Sequence, residues 1–505
     1  MKPRIKNLFL LPVLIAGLGL ILANRVTAQT FTTLYSFAAG SGYYPNLTNS
    51  DGARPWAGVI ISGNTLYGTT EYGCSSGNGT VFAVNTDGTG FTNLHSFTAS
   101  STNSSGAYTN SDGTKPRAEL ILSGNSLYGT AGGGGSGGHG TLFVVNTNGT
   151  GFTNLHSFTY SDGSWPSAPL ILSGNTLYGT TYGGGSSGKG TVFAVSTDGT
   201  DFTNLHNFAA VSTNSSGVYT NSDGTHPYGS LVLSGNTLYG PAADGGSSGN
   251  GTVFAVNTDG TGFTNLHNFT PPYTSFTGTN SDGAQPAALI VSDNALYGTA
   301  MYGGSSGRGT VFKVNTDGTG FTNLHSFTGL AFDTNGAGAV PNDLILSGSS
   351  LYGTTANGGH SGRGTVFKVN ADGTAYTTLY KFTLGDPYLF STNSDGAVPS
   401  GLILSGNTLY GTAVVGGSSG NGTVFSLSLP VPPQLSIIPS GDNVILTWPT
   451  NAAGFDYSGF TLQSTTNLGS SAVWITNSPP PVVVNGRNTV TNPISGTQQF
   501  YRLSQ

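Results

Sequence analysis

The sequence predicts an all-β protein, in which a seven-bladed β-propeller is closed by the N-terminal strand and followed by a small C-terminal β-sandwich. One segment with four short β-type runs recurs along most of the 505 residues. Its first and last copies are incomplete in complementary ways, and the repeat stops at a proline-rich stretch. Repeats of this length with four strands each are typical of propeller blades.

Three short patterns mark each copy of the repeat. A Leu-Tyr-Gly-Thr tetrad, once Leu-Tyr-Gly-Pro, is followed by Gly-Thr-Val-Phe or Gly-Thr-Leu-Phe and then by FTNLHSF or a close variant. The tetrads lie 50 to 61 residues apart, which sets the length of one unit. They begin at Leu66, Leu127, Leu177, Leu238, Leu296, Leu351 and Leu409.

The third copy illustrates the predicted blade. Its strands are expected at 168–172, 177–181, 191–195 and 202–208. Ser-Gly-Asn and Thr-Asp-Gly-Thr form the two tight turns, because Gly, Asn and Asp accept the positive φ angles of hairpin turns. The two longer connections are a glycine-rich loop and a loop that ends in Ser-Asp-Gly before a recurring proline.

The two ends of the repeat predict how the propeller closes. Segment 31–37 matches a fourth strand but has no partner strands before it, and the last copy has three strands and no fourth. We therefore expect the N-terminal strand to complete the last blade, which removes free sheet edges. An open stack of units is the alternative, and it would leave both incomplete ends unexplained.

The N-terminal segment has the pattern of a secretory signal peptide. Basic residues precede a short apolar run, and Val-Thr-Ala ends at Ala28, after which we expect cleavage. A membrane anchor is the alternative, although the run is short for a spanning helix. The predicted protein is thus secreted, extracellular or in the cell envelope, monomeric, and without a transmembrane segment after cleavage.

The remaining boundaries follow from changes in pattern. We expect a signal peptide at 1–28, the propeller at 29–429, a proline-rich linker at 430–434 and a β-sandwich at 435–505. The last segment contains no copy of the repeat, but it has several short β-type runs and a Trp on an early one. Those features are typical of a small sandwich.

Composition excludes several classes of function. Charged residues are only 7% and the net charge is −6, so no field would attract nucleic acid. Aromatic residues at 11% argue against a disordered chain.

Segment 183–191, GGGSSGKGT, resembles a phosphate loop, but Gly190 separates Lys189 from Thr191 and a strand follows where such loops begin a helix. We expect no nucleotide and no cofactor.

Few residues carry the pattern of catalytic or metal-binding groups. Glu119 and Asp343, at equivalent starts of the first strand in blades two and six, are the carboxylates nearest the predicted channel. The Ser-Asp-Gly aspartates are interpreted as turn formers. Five histidines share one register of FTNLHSF, where Tyr35 and Tyr380 also occur, so we expect structural hydrogen bonds rather than metal ligands.

The combination LYGTT, GTVF, TDGT and FTNLHSF resembles the tandem GloVer repeat of secreted bacterial proteins, over residues 31–429. Residues 435–505 are similar to a fibronectin-III-like C-terminal module. The resemblance implies propeller blades and brings no defined activity. Proteins of this choice-of-anchor type often end in a sorting anchor, of which the C-terminal Phe500–Gln505 shows no sign.

The long-loop face of the predicted propeller is the expected binding face, since variable loops on a rigid scaffold usually carry binding. Residues around the recurring proline and in the glycine-rich loop differ from blade to blade, whereas the frame repeats. The predicted ligand is an extracellular glycan or protein. The alternatives for the function are a carbohydrate-active hydrolase or lyase and a purely structural envelope or matrix protein. The alternative explanation for the differences between blades is drift at exposed loop positions. The candidate ligand-binding residues are Arg54, Trp56, Lys115, Trp165, Lys189, His226, Tyr228, Arg308 and Arg363.

Overall fold

The computed structural model describes residues 29–42, 44, 46–271, 278–328, 338–383, 392–429, 434–452, 455–456, 460–466, 473–477, 480–493 and 499–504. Their regular structure consists of β-strands and includes no helix, so the all-β class predicted from the sequence is confirmed. The chain divides into two compact units, Thr30–Leu429 and the described part of Pro430–Gln505. The predicted signal peptide, 1–28, and most of the linker lie outside the described residues.

The larger unit contains seven four-stranded antiparallel sheets, numbered here in chain order. Sheets 1 to 4 consist of Ile60–Ser62, Thr65–Thr70, Thr80–Asn85 and Thr92–Ser96; Ile121–Ser123, Ser126–Ala131, Thr141–Asn146 and Thr153–Ser157; Ile171–Ser173, Thr176–Thr181, Thr191–Ser196 and Thr203–Asn207; Val232–Ser234, Thr237–Ala242, Thr252–Asn257 and Thr264–Asn268. Sheets 5 to 7 consist of Ala284–Ser292, Ala295–Tyr302, Thr310–Asn315 and Thr322–Ser326; Ala339–Ser347, Ser350–Asn357, Thr365–Asn370 and Thr377–Lys381; Ala397–Ser405, Thr408–Val415, Thr423–Ser428 and Phe31–Ser36.

The N-terminal strand is the outer strand of sheet 7. Phe31–Ser36 pairs antiparallel with Thr423–Ser428, and Phe31 lies opposite Leu427. The backbone N–H of Phe37 extends this pairing by donating to Gly422 O at 3.1 Å. Residues almost four hundred positions apart therefore form one sheet, as the two incomplete copies require.

The first strands of the sheets fall into two classes. In sheets 1 to 4 this strand has three residues, and in sheets 5 to 7 it has nine. The sequence explains the difference, because Pro116 and Leu120 have three residues between them, whereas Pro341 and Leu344 have two. The extra residue interrupts pairing in sheets 1 to 4, so the predicted strand at 168–172 is observed only as Ile171–Ser173.

Apolar clusters join each sheet to the next. In one of them, Phe82 and Val59 of sheet 1 pack with Val424 of sheet 7, which connects the last sheet to the first. The glycine of each tetrad makes room for the Phe of the third strand: a Cβ on Gly179 would lie 2.5 Å from Phe193 Cζ. Six further clusters link successive sheets in the same way.

The recurring His or Tyr of FTNLHSF connects neighbouring sheets at their outer strands. Its ring stacks on the aromatic residue before the next outer strand, with centroids 3.6 to 4.0 Å apart in all seven copies. The same side chain reaches the Ser-Asp-Gly aspartate, as in His206 Nε2 to Asp223 Oδ2 at 2.9 Å and Tyr380 Oη to Asp395 Oδ2 at 2.8 Å. These aspartates therefore link sheets in addition to forming turns.

His325 is the exception in this register. Ala337 stands in the sequence where the other copies have the aspartate. Its Nε2 atom is buried and has no hydrogen-bond partner in the described part of the chain. Burial lowers the pKa of His325 to about 4, so this ring stays neutral near pH 7.

The smaller unit contains a four-stranded, a three-stranded and a two-stranded sheet within its described residues. Leu446, Trp448 and Val490 of the first sheet share one buried cluster with Leu462 of the second. The strands are Ser436–Ser440, Asn443–Pro449, Arg487–Pro493 and Val482–Val484; Ile475–Thr476, Thr461–Thr465 and Phe500–Ser504; Asn451–Ala452 and Phe455–Asp456.

The His-to-Tyr exchange seen between copies predicts which substitutions the frame tolerates. We expect His206→Ala to lower the free energy of unfolding by about 2 kcal/mol, because it removes a hydrogen bond to a buried carboxylate and a ring stack. His206→Tyr should retain most of that stability, as Tyr35 and Tyr380 make the same contacts. Urea denaturation followed by fluorescence measures both, and equal losses would contradict the assigned role.

Candidate functional site

The long-loop face is organised by a backbone hydrogen bond between neighbouring sheets. The residue before each recurring proline has a positive φ of 54 to 60°, although none of the seven is glycine. Its N–H donates, at 2.8 to 3.0 Å, to a carbonyl in the glycine-rich loop of the preceding sheet. The pairs are Arg54–Asn421, Lys115–Asn78, Trp165–His139, His226–Lys189, Gln285–Asn250, Val340–Arg308 and Val398–Arg363.

This inter-sheet bond brings the two predicted variable positions together. Lys189 and His226, for example, come from different sheets but lie side by side on the same face. The packing beside the bond requires glycine: Gly190 has a φ of 101°, and a Cβ there would lie 2.6 Å from Pro227 Cδ. The glycine that separates Lys189 from Thr191 is thus an element of inter-sheet packing.

Two of the predicted site residues belong to a polar network around Glu71. The Trp56 indole N–H and the Arg117 guanidinium both bind the buried Glu71 carboxylate. The Arg54 guanidinium carbon lies 3.7 Å from the centre of the Tyr44 ring. Arg54 is therefore packed against the protein, whereas Trp56 keeps 37% of its surface exposed.

Tyr228 lies deeper than the other predicted aromatic residues. It is half-buried, and its hydroxyl donates to Met301 Sδ at 3.1 Å on sheet 5. Burial raises the pKa of Tyr228 well above its usual value. The Tyr228 ring therefore turns toward the neighbouring sheet, whereas Trp165 is 55% exposed.

Among the described residues, six exposed aromatic side chains lie on the loops of sheets 1 to 4. Trp165 and Tyr160 are each 55% exposed, and Tyr219 is 66% exposed. The described loops of sheets 5 to 7 contain no exposed large hydrophobic side chain. We call the set on sheets 1 to 4 the aromatic arc; it comprises Trp56, Tyr108, Tyr160, Trp165, Tyr182 and Tyr219.

Two members of the arc lie on small ribbons that the sequence analysis missed. Ser101–Thr102 pairs with Tyr108–Thr109, and Ser212–Thr213 pairs with Tyr219–Thr220. The information was present in the sequence, since both ribbons belong to nearly identical insertions, STNSSGAYTNSDGT and STNSSGVYTNSDGT. An insertion that is itself repeated indicates a defined structure rather than a variable loop.

A cleft of about 700 Å³ lies between the second ribbon and the glycine-rich loop of sheet 4. Lys189 and His226 both line it, so the structure brings these two predicted residues into one site. His226 Nδ1 lies 3.0 Å from Asp244 Oδ2, and the Tyr182 ring stacks on the imidazole at 4.5 Å. Lys115, Arg308 and Arg363 do not line this cleft.

Glu119 and Asp343 come together toward the inner strand of sheet 7. Leu402 N–H donates to Asp343 Oδ2 at 2.6 Å. A Cβ on Gly58 would lie 3.1 Å from Gly401 Cα and 3.6 Å from Glu119 Oε1. Burial, with a further contribution from the Asp343 charge, raises the pKa of Glu119 to about 8. Burial raises the pKa of Asp343 to about 6, against the effect of backbone hydrogen bonds from Leu344 and Leu402.

Burial thus raises the pKa of both carboxyl groups, as it does for carboxyls that act as general acids in enzymes. Among the described residues, no three His, Cys, Asp or Glu side chains are grouped so as to hold a metal ion. The part of the chain described here also has no helix that is long and apolar enough to cross a membrane.

A family model described as the Gloeobacter/Verrucomicrobia repeat matches residues 19–208, 102–275 and 270–434. Similar solved structures include an oligogalacturonate lyase from Vibrio parahaemolyticus, 10% identical over 80% of this chain and 98% of that chain, with a TM-score of 0.46. A GH74 xyloglucanase from Xanthomonas campestris is 12% identical over 85% of this chain and 62% of that chain, with a TM-score of 0.49. The WD40 β-propeller domain of Doa1 is 12% identical over 79% and 97%, with a TM-score of 0.43. A search of curated proteins gave no match.

The proton held by Glu119 predicts a pH-dependent stability. Between about pH 5 and pH 8 the folded chain keeps this proton and the unfolded chain has lost it, so stability falls as pH rises. We expect Glu119→Gln to gain on the order of 3 kcal/mol relative to the unsubstituted protein over this range. Melting temperatures at pH 5 and pH 8.5 measure the effect, with Asp201→Asn, an exposed carboxylate, as control. Parallel pH profiles would contradict it.

Proposed function

Because the chain belongs to the Gloeobacter/Verrucomicrobia repeat family and exposes several aromatic rings on the described loops of sheets 1 to 4, we propose that it is a secreted protein that binds an extracellular glycan. The aromatic arc is the observation that carries this proposal. Exposed rings in contiguous patches mark interaction sites more often than isolated ones do. The arc borders two recesses, one beside Tyr219 and one beside Tyr160, and recessed sites of this kind suit small saccharide units.

The chemistry of the arc suits sugars. Aromatic faces attract the C–H faces of pyranose rings, and neighbouring polar groups bind the hydroxyls. Tyr160 lies over a recess of about 660 Å³ that is otherwise lined by Ser and Gly of the sheet 3 loop. The amide and hydroxyl groups of this loop are uncharged donors and acceptors, as recognition of a neutral sugar requires.

The scaffold under the arc is proposed to be a closed ring of seven blades. Three independent contacts run from each sheet to the next and return from sheet 7 to sheet 1: the apolar clusters, the aromatic stacks and the inter-sheet backbone bonds. A closed ring would hold the loops rigidly and so reduce the entropy lost on binding.

For residues 435–505 we propose a small β-sandwich, supported by the cluster shared between its two larger sheets.

Secretion is proposed from the N-terminal sequence pattern alone. Cleavage after Ala28 would leave Gln29 as the first residue of a monomeric, extracellular or envelope-associated protein. N-terminal sequencing and mass measurement of the protein recovered from the producing cell and its medium test this. An intact Met1 on the cell-associated protein would contradict it.

Substitution of the arc should reduce glycan binding. In a screen of soluble and cell-wall glycans, we expect Trp165→Ala and Trp56→Ala each to weaken binding about tenfold, equivalent to about 1.4 kcal/mol. Lys381→Ala, exposed on the outer strand of sheet 6, is the matched control. Isothermal titration measures the affinities. Unchanged binding in both Trp variants would contradict the site, and the absence of any glycan ligand would favour a protein partner or a purely structural role.

A carbohydrate-active hydrolase or lyase is the second candidate, because Glu119 and Asp343 are electrostatically coupled. If the protein cleaves a polysaccharide, Glu119→Gln and Asp343→Asn should each reduce release of new chain ends by at least about a hundredfold. Trp165→Ala should instead act mainly on substrate affinity. Reducing-end and unsaturated-product assays separate hydrolysis from elimination, and activity retained in both carboxyl variants would exclude this site.

A further inference from the structure

We propose that the cleft lined by Lys189, His226 and Tyr219 binds a sugar residue that carries a carboxylate, a uronate, within the glycan. This inference rests on the proposed function and assigns a ligand class to one part of the arc. The cleft volume of about 700 Å³ lies within the range of small-ligand pockets. Its walls combine an aromatic face, apolar side chains and one lysine.

Lys189 is the group that favours a negatively charged ligand. No ion pair of the described residues includes this lysine, although it lines the cleft. Its backbone is held in place, because Lys189 O accepts the His226 N–H at 2.9 Å. The inter-sheet bond therefore fixes the Lys189 backbone, and the ammonium group is in no ion pair of the described residues.

Asp244 is the one carboxylate in the cleft, and both of its oxygens have partners. His226 Nδ1 lies 3.0 Å from Oδ2, and Gln285 Nε2 donates to Oδ1 at 3.0 Å. The Tyr182 ring packs against the other side of the imidazole. Asp244 is thus hydrogen-bonded within the protein, while Lys189 has no ion-pair partner among the described residues.

The opposite wall supplies the surface for a sugar ring. Tyr219 is 66% exposed on its ribbon, next to Val218. A pyranose ring stacked on the Tyr219 face would bury C–H groups against an aromatic ring. The carboxylate of a uronate would then pair with the Lys189 ammonium.

The chain contains an internal comparison for this assignment. The ribbon before sheet 2 has nearly the same sequence as the ribbon before sheet 4, but Asn78 occupies the position of Lys189. Asn78 Nδ2 donates to Thr98 O at 2.6 Å and to Ser100 Oγ at 3.2 Å, so it is engaged within the protein. The cation beside the first ribbon is instead Lys115, which stands before the recurring proline where the second ribbon has His226.

The test compares acidic oligosaccharides with their neutral forms. Galacturonate and glucuronate trisaccharides and their methyl esters are titrated into the full chain at low and high salt. We expect binding of the free acids to exceed that of the esters about tenfold and to weaken with salt. Lys189→Met should abolish this preference for the free acids, and Lys189→Arg should keep it. Arg363→Met removes a cation at the same register of another sheet and is the control, so it should also keep the preference.

The outcomes separate this inference from the proposed function. Equal affinity for acids and esters, or an unchanged preference in Lys189→Met, overturns the uronate assignment. If neutral glycans still bind in a Trp165-dependent way in that case, the proposed glycan-binding function stands. If no acidic or neutral glycan binds the unsubstituted protein, both fail together.

Discussion

The hydrogen bond from the pre-proline N–H of one sheet to the glycine-loop carbonyl of its neighbour determines most of the long-loop face. It holds a non-glycine residue at positive φ in every copy, which is a strained conformation, most of all for Val340 and Val398. The strain is offset because proline packs on the neighbouring glycine beside each bond, as Pro227 does on Gly190. Two variable side chains from different sheets are thereby placed next to each other at every junction.

The repeated frame and its exceptions have different roles. The tetrad glycine, the third-strand Phe and the His or Tyr of the outer strand recur because each fills a fixed space between sheets. The side chains that we assign to ligand contacts lie where the copies differ. They belong to the two ribbons, to Lys189 and to the Glu119–Asp343 pair. His325 shows the cost of changing the frame itself, since its buried Nε2 lacks the aspartate found in the other histidine copies.

Local pattern was sufficient to predict the strands but not the site. The expected strands at 191–195 and 202–208 are observed as Thr191–Ser196 and Thr203–Asn207, because alternation and turn residues are local properties. Exposure of a loop ring depends on how neighbouring loops pack, so Trp165 is exposed and Tyr228 is not, although both flank the same recurring proline. The shared register of Glu119 and Asp343 in their copies predicts that both lie near the channel, whereas the effect of one charge on the other depends on how inner strands from distant sheets pack.

The four sheets with an extra residue in the inner segment are also the four that carry the aromatic arc. In sheets 5 to 7 the segment after the proline is paired in the sheet, as Asp343 is opposite Thr354. In sheets 1 to 4 the extra residue releases this segment from the ladder, so side chains such as Trp56 and Arg117 can lie across the top of the sheet and reach Glu71. Among the residues that the structure describes, the segment after the proline is thus paired in sheets 5 to 7 and unpaired in sheets 1 to 4, where it supplies Trp56 to the aromatic arc.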